Sequence, residues 1–324
     1  MTLLELRDVS VSYRTSEGLV PVVRDVNLTV EAGRKLALAG ESGCGKTTLA
    51  NTVLRLQPDN AEVTGEVLVD GEDVLTMRWG PLRALRWADA SVVFQGALHS
   101  LNPVRRVGDQ IAEPITLHKT VSTRSATKDR VAQLLSQVGL PPALASTYPH
   151  QLSGGQKQRV MIAMALACEP RLIVADEPTT ALDVMVQAQV LELLSGLVDE
   201  LGLGLMMISH DLSVLGEVCD DVAVMYAGRV VEQGPTKSVF DQPRHPYTRA
   251  LVSAFPTIGD PSARFAPKGL AGDPPDPAHL PAGCPFAPRC AHVMDVCTSE
   301  DPQLRAAGPD QQAACHLIEL GASA

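Results

Sequence analysis

An α/β domain on a mostly parallel core sheet, with a small cysteine-containing C-terminal extension, is the fold class this sequence predicts. Three observations lead there. Over the first 240 residues of a 324-residue chain, short β-branched runs alternate with helix-spaced stretches, the rhythm of strand–helix–strand units. Apolar residues make up 45% of the sequence, enough to cover both faces of such a sheet. After Phe240 the texture changes. Eleven prolines fall between Pro256 and Pro309, and four of the seven cysteines lie beyond Ala282. Proline at that density precludes long helices.

Taken in order, residues 3–11 alternate at period two and residues 22–30 read as a second strand, which predicts an antiparallel β layer. Residues 35–39 read as a short buried strand ending at Gly40, followed by a helix over 48–56. Residues 129–138 have helical spacing, and Gly139 with Pro141 and Pro142 stops them. A further helix is expected over 157–168. The runs 172–175, 203–209 and 222–226 have strand length, and a helix over 184–201 joins the first two. The division expected is a main domain over 1–240, with a helical subdomain over about residues 97–168, and the extension over 241–324.

Charge narrows the function classes. With 27 basic and 37 acidic residues the formal charge is −10, which argues against an electrostatic binder of nucleic acid. No run approaches the roughly 18 apolar residues a membrane span needs. Residues 1–10 alternate charged and apolar side chains, unlike a signal peptide. Cysteines without a secretory signal argue against a disulfide framework. The expectation is a soluble intracellular protein.

Gly40-Glu41-Ser42-Gly43-Cys44-Gly45-Lys46-Thr47 fits the phosphate-loop pattern between a strand and a helix beginning at Thr48. Glycines let the backbone wrap a phosphate with its N–H groups inward, and the helix adds its positive end. Lys46 should reach the β- and γ-phosphates and the Thr47 hydroxyl should bind Mg²⁺. Cys44 reads either as an oxidation switch or as a small loop filler. The strand at 172–175 runs into two acids. Asp176, at its tip, is placed to hold Mg²⁺ through water, and Glu177 to polarise an attacking water.

Leu152-Ser153-Gly154-Gly155-Gln156, ending 20 residues before Asp176, opens another helix and offers a second glycine-rich anion site. A loop, a signature and an acid pair in this order resemble the nucleotide-binding subunit of an ABC transporter. The resemblance runs through the whole chain. It implies a P-loop NTPase cassette that hydrolyses ATP with Mg²⁺. Two cassettes sandwich two nucleotides, with Ser153, Gly154, Gly155 and Gln156 on the γ-phosphate held by the partner's loop. Residue by residue, Tyr13 matches the aromatic that stacks on adenine, and Gln95 the glutamine that touches Mg²⁺ and senses the membrane subunit. Residues 181–183, with Asp183, match the loop that crosses the dimer interface, and His210 the histidine on the γ-phosphate. Residues 96–103 depart from the family form, which has Asp-Pro after the glutamine.

The subfamily signal lies further on. Ser100-Leu101-Asn102-Pro103, His245-Pro246-Tyr247-Thr248-Arg249-Ala250-Leu251 and the cysteine tail resemble the ATPases of dipeptide and oligopeptide importers. Nickel and some oligosaccharide importers share these features. Cys284, Cys290, Cys297 and Cys315, with gaps of 5, 6 and 17 residues, suggest a structural metal or an iron–sulfur cluster. Zinc ribbons bring two close pairs, which this spacing lacks. The resemblance implies a [4Fe–4S] cluster, with Zn²⁺ as the alternative and His292 and His316 as alternative ligands. It further implies a second ABC ATPase subunit, two transmembrane permease subunits and an extracytoplasmic solute-binding protein as partners, no nucleic acid, and a peripheral place on the cytoplasmic face of the membrane. Two other classes compare poorly. Soluble ABC ATPases of ribosomes or DNA carry two cassettes or a long coiled coil, and a P-loop kinase has no use for the signature.

Overall fold

The computed structural model describes residues 1–16, 18–95, 100–180, 182–254, 270 and 272–319. Its elements begin with strands β1 (Thr2–Thr15), β2 (Gly18–Glu31) and β3 (Lys35–Ala39), helix α1 (Lys46–Val53), then β4 (Ala61–Val69) and β5 (Glu72–Asp73). Next come α2 (Trp79–Ala88), β6 (Ala90–Val93), α3 (Val107–His118), α4 (Arg124–Gln137) and α5 (Gly154–Ala165). They are followed by β7 (Leu172–Asp176), α6 (Val184–Leu201), β8 (Gly204–Ile208), α7 (Leu212–Val218), β9 (Asp221–Tyr226) and β10 (Arg229–Pro235). Then come α8 (Thr236–Asp241), α9 (Pro246–Ala254), β11 (Arg305–Gly308) and β12 (Gln311–Ala313), with single helical turns at Val296–Ser299 and His316–Glu319. The chain divides into two compact units.

The first unit comprises residues 1–4, 30–34 and 68–207. Its sheet is parallel: β6 pairs with β7 from Ala90↔Leu172 to Val93↔Ala175. Every residue of β7 is buried, as expected of a strand covered on both faces. Three helices pack together beyond this sheet. In α3 the buried Val107, Ile111 and Ile115 recur every four residues, which puts them on one face, and α4 buries Val131, Leu134 and Leu135. Helix α6 has both of its ends written in sequence. Asp183 accepts the Val186 N–H at its start, and Gly202 takes the left-handed conformation at its end, φ 64°.

The second unit comprises residues 5–29, 35–67 and 208–324. Strands β1 and β2 form a hairpin. Asp8 bonds Asn27 and Ser10 bonds Asp25, an opposition that only antiparallel strands give. Here β3 runs parallel to β9, from Leu36↔Asp221 to Ala39↔Val224. Antiparallel pairing then continues outward through β10, β12 and β11, so strands from the proline-rich extension complete this edge. One buried acid ties these parts together. Glu232 on β10 is fully buried and accepts from the Arg244 and His245 N–H groups and from Gln311 Nε2, at 2.7, 2.9 and 2.7 Å. Burial pushes its carboxyl above the ordinary value, and those donors oppose the shift.

Beside it, burial drives the His245 imidazole down to about 4, so the ring is neutral at pH 7 and its Nδ1 accepts the Tyr247 N–H at 3.0 Å. The chain has only four tyrosines and five phenylalanines. Tyr226, Tyr247 and Phe286 meet here with ring centroids 4.6 to 5.5 Å apart. Such pairs contribute about 0.5–1.5 kcal/mol each beyond their burial.

The antiparallel layer and the parallel core strands are thus both present, and three helices start earlier than their spacing suggests. The 48–56 helix runs Lys46–Val53 because Gly45 serves as its N-cap. The 129–138 helix starts at Arg124, where the Thr123 hydroxyl accepts the Ala126 N–H. The 157–168 helix starts at Gly154, one residue after the cap Ser153.

Candidate nucleotide site

In the second unit β3 is buried throughout and delivers the chain to Gly40. That residue has φ 146°, and a Cβ there would stand 2.3 Å from the Met225 carbonyl oxygen. Gly45, φ 103°, would put a Cβ 2.7 Å from the Val22 carbonyl oxygen. Both places therefore need glycine on two counts, backbone conformation and space. With glycine as N-cap, no side chain caps the start of α1, whose positive end therefore meets the loop without a capping side chain between them. Lys46 is buried and its Nζ donates to the carbonyls of Gly40 and Glu41, both at 2.8 Å. The lysine thus holds the loop closed on itself. Thr47 is exposed at the helix start, and the Tyr13 hydroxyl lies 3.5 Å from Thr48 Oγ1. Burial pushes the Cys44 thiol up, against the pull of Lys46, opposite to what a reactive thiolate requires. His210 is exposed just after β8, ahead of Asp211, which caps α7.

Two loop contacts were not legible in the sequence. The Glu41 N–H donates to the Tyr247 hydroxyl at 2.9 Å, and the Glu41 carboxylate is gripped by Arg289 from the extension. The sequence His245–Leu251 contains Tyr247 but carries no signal of this role, and no sequence motif points to Arg289.

In the first unit the parallel register of β6 and β7 sets Val93 beside Ala175, and two residues further on Gln95 meets Glu177. Gln95 Nε2 donates to Glu177 Oε2 at 2.7 Å, and so does Thr180 Oγ1, also at 2.7 Å. Glu177 sits at φ 44°, a left-handed conformation that costs a non-glycine residue about 1–3 kcal/mol. Asp176 ends the buried strand at 6% exposure. The strained turn separates the two acids: Asp176 stays with the strand and Glu177 is swung toward Gln95 and Thr180.

The signature forms a capping box. Ser153 Oγ accepts the Gln156 N–H at 3.3 Å and Gln156 Oε1 accepts the Ser153 N–H at 2.9 Å, leaving the Gly154 and Gly155 N–H groups outside the box. Both glycines lie at close approaches. A Cβ on Gly155 would come 2.5 Å from Val186 Cγ1, and one on Gly154 3.0 Å from Leu182 Cδ2. The signature therefore packs on Leu182, just before the cap Asp183, and on Val186 in the first turn of α6. Ala181 and residues 96–99 lie outside the described residues.

The Cys284 N–H donates to the Cys297 carbonyl at 2.9 Å. Burial, with the charges of Cys297 and Cys315, pushes the Cys284 thiol up to about 11. Burial and neighbouring thiols likewise raise Cys290 and Cys315. Among the described residues, however, no group of three or more His, Cys, Asp and Glu side chains is arranged to hold a metal ion. His316 Nε2 is bonded to the Glu300 carbonyl at 3.0 Å, and the His292 N–H donates to Cys290 Sγ at 3.3 Å.

A glycine-bound phosphate loop, an acid pair steadied by a glutamine and a second glycine-bearing helix start define a P-loop nucleotide-binding cassette. Residues 23–180 match the family model described as ABC transporter, and residues 231–297 that of the oligopeptide/dipeptide transporter C-terminal region. The chain is 44% identical over 315 residues to the oligopeptide transport ATP-binding protein OppD of Salmonella typhimurium, across 97% of this chain and 93% of that one. It is 45% identical over 309 residues to a putative peptide import ATP-binding protein of Brucella abortus, across 94% and 92%. Among solved structures it resembles a dimeric ATP-binding cassette in a post-hydrolysis state bound to ADP and Pi. The TM-score is 0.65 and the identity 28%, over 72% of this chain and 98% of that chain. This chain belongs to the ABC transporter family of ATP-binding subunits, in its oligopeptide/dipeptide group.

Proposed function

We propose that this chain hydrolyses ATP to drive import of di- or oligopeptides through separate membrane subunits. The observation that carries the hydrolytic part is Glu177, a carboxylate held in a strained turn with Gln95 and Thr180 on one oxygen. A base so oriented can polarise a water at a γ-phosphate. In this reading Tyr13 stacks on adenine, and Gly40 to Thr48 wrap the phosphates, with Lys46 leaving its two carbonyls for them. Thr47, Asp176 and Gln95 are the residues that would hold Mg²⁺, whose contribution is to offset phosphate charge. His210 meets the γ-phosphate. The signature and Asp183 serve the nucleotide of a second cassette, so each hydrolytic site is shared by two subunits.

The relatives' names support a peptide as the solute. No described helix is long and apolar enough to cross a membrane, so translocation needs other chains. The expected assembly has a second cassette, two permease subunits and an extracytoplasmic binding protein, with this chain on the cytoplasmic face. Pull-down of tagged chain from detergent-solubilised membranes, followed by mass spectrometry, tests it. Recovery of multi-span proteins and a second cassette is the expected result. Ribosomal or DNA-repair proteins without a membrane subunit would overturn the transport reading, and a recovered binding protein that takes nickel or oligosaccharide instead of peptide would overturn the solute.

For the tail, the reading is a structural [4Fe–4S] cluster on Cys284, Cys290, Cys297 and Cys315. Burial, with neighbouring thiols, raises Cys284, Cys290 and Cys315, and a bound cation would ionise such a donor set. A bound cluster would cross-link the tail in place of a larger apolar core. Anaerobically purified protein is expected to contain iron and acid-labile sulfide. Zinc alone, or neither metal, would remove this reading.

A further inference from the structure

Glu41, the second residue of the phosphate loop, has each of its polar groups engaged. Its carbonyl accepts from Lys46 Nζ at 2.8 Å, and its N–H donates to the Tyr247 hydroxyl at 2.9 Å. Its carboxylate takes a two-pronged bond from Arg289, Nη1 to Oε2 at 2.7 Å and Nη2 to Oε1 at 2.9 Å. The first of these bonds comes from the loop itself. The other two come from the extension, more than 200 residues away in sequence.

The Arg289 side chain is built into its place. It is 5% exposed against 23% for Glu41. Its Nη1 also donates to the Tyr226 hydroxyl at 3.3 Å, and its Cζ lies 5.8 Å from the Tyr226 ring centroid. The 3₁₀ turn Ala287–Arg289 that carries it directly precedes Cys290 and follows Phe286 of the aromatic cluster. A partly open cavity of 290 Å³ is lined by Glu41, Ser42 and Gly43 of the loop and by Pro274, Pro275 and Pro277 of the extension.

We propose that Arg289 is a positioning residue for the phosphate loop, acting through Glu41 and seconded by Tyr247. The inference rests on the reading of this loop as the ATP site. Lys46 can reach a phosphate only by leaving the Gly40 and Glu41 carbonyls, which removes the loop's internal brace as the ligand arrives. The bonds from Arg289 and Tyr247 do not depend on Lys46 and keep Glu41 in place through that exchange. Arg289 also neutralises a carboxylate on a loop that must wrap a polyanion. Without it, a partly buried negative charge is left uncompensated beside the incoming phosphates.

The test is titration of the purified full-length chain with a fluorescent ATP analogue and Mg²⁺, with melting temperatures taken without nucleotide. Arg289→Met is expected to weaken binding about tenfold. Arg289→Lys should recover only part of that, because an ammonium cannot reproduce the planar fork. Glu41→Gln added to Arg289→Met should bind more tightly than Arg289→Met alone, since it removes the exposed charge. Tyr247→Phe, which deletes one hydroxyl, should cost about threefold and serves as the test if Arg289→Met does not fold. A wild-type chain that binds no nucleotide would overturn the ATPase reading itself. If wild type binds and Arg289→Met binds equally well, even with a lowered melting temperature, Arg289 is merely structural and the inference falls. It falls too if the double variant is as weak as the product of its two singles.

Discussion

A Glu177→Gln variant is expected to bind ATP with near wild-type affinity and to hydrolyse it about 10²–10⁴-fold more slowly, the usual contribution of a positioned general base. The amide has nearly the shape of the carboxylate. Its oxygen can still accept from Thr180 Oγ1 and Gln95 Nε2, so the turn at φ 44° keeps both of its ties. What it loses is the charge that orients and deprotonates a water. The phosphate contacts expected of Lys46 and the start of α1 are untouched, so binding and chemistry should separate. Single-turnover hydrolysis of labelled ATP, beside equilibrium nucleotide binding, reads the two effects apart. Hydrolysis within a few-fold of wild type would remove Glu177 from the role of base. A matching loss of affinity would mean that the substitution had disturbed the turn instead of the chemistry.

The Glu177 arrangement also shows where sequence reasoning reaches its limit. Elements whose cause is local were legible: the apolar strand Lys35–Ala39, and the helix Val184–Leu201 between its acid cap and its terminal glycine. So was the residue content of the phosphate loop, because glycine spacing and a following helix are features of adjacent positions. Helix starts were misplaced wherever the cap lay ahead of the apolar pattern, as at Thr123 and Ser153, since a capping hydroxyl adds nothing to periodicity. Strand β10 went unseen because Glu232 interrupts its apolar run, and that acid is tolerated only because the Arg244 and His245 N–H groups and Gln311 converge on it. The pairing of Gln95 with Glu177 spans 82 residues and follows from strand register, and that of Arg289 with Glu41 spans 248. Contacts of that separation come from the assembled sheet. They are invisible to any window of sequence.

Replacing Gly40 by alanine should weaken nucleotide binding through geometry alone, because one methyl group meets two obstacles there. At φ 146° a side-chain-bearing residue is strained by about 1–3 kcal/mol, and the new Cβ would sit 2.3 Å from the Met225 carbonyl oxygen. That oxygen cannot retreat, since β9 is paired to β3 up to Ala39↔Val224, next to the glycine. The loop must therefore lift away from β9, which breaks the approach of the Gly40 and Glu41 carbonyls to Lys46 and pulls on the Tyr247 and Arg289 bonds. ATP affinity is expected to fall by about 5–150-fold, the factor that roughly 1–3 kcal/mol of strain represents. A lowered melting temperature should accompany it. Gly33→Ala is the control. That glycine also has positive φ, 72°, but a Cβ there meets nothing within 4 Å. It should lower stability by about 1 kcal/mol and leave nucleotide binding unchanged. If both substitutions weaken ATP binding equally, general destabilisation is the cause. If Gly40→Ala alone does so, the shape of the loop against β9 sets the affinity.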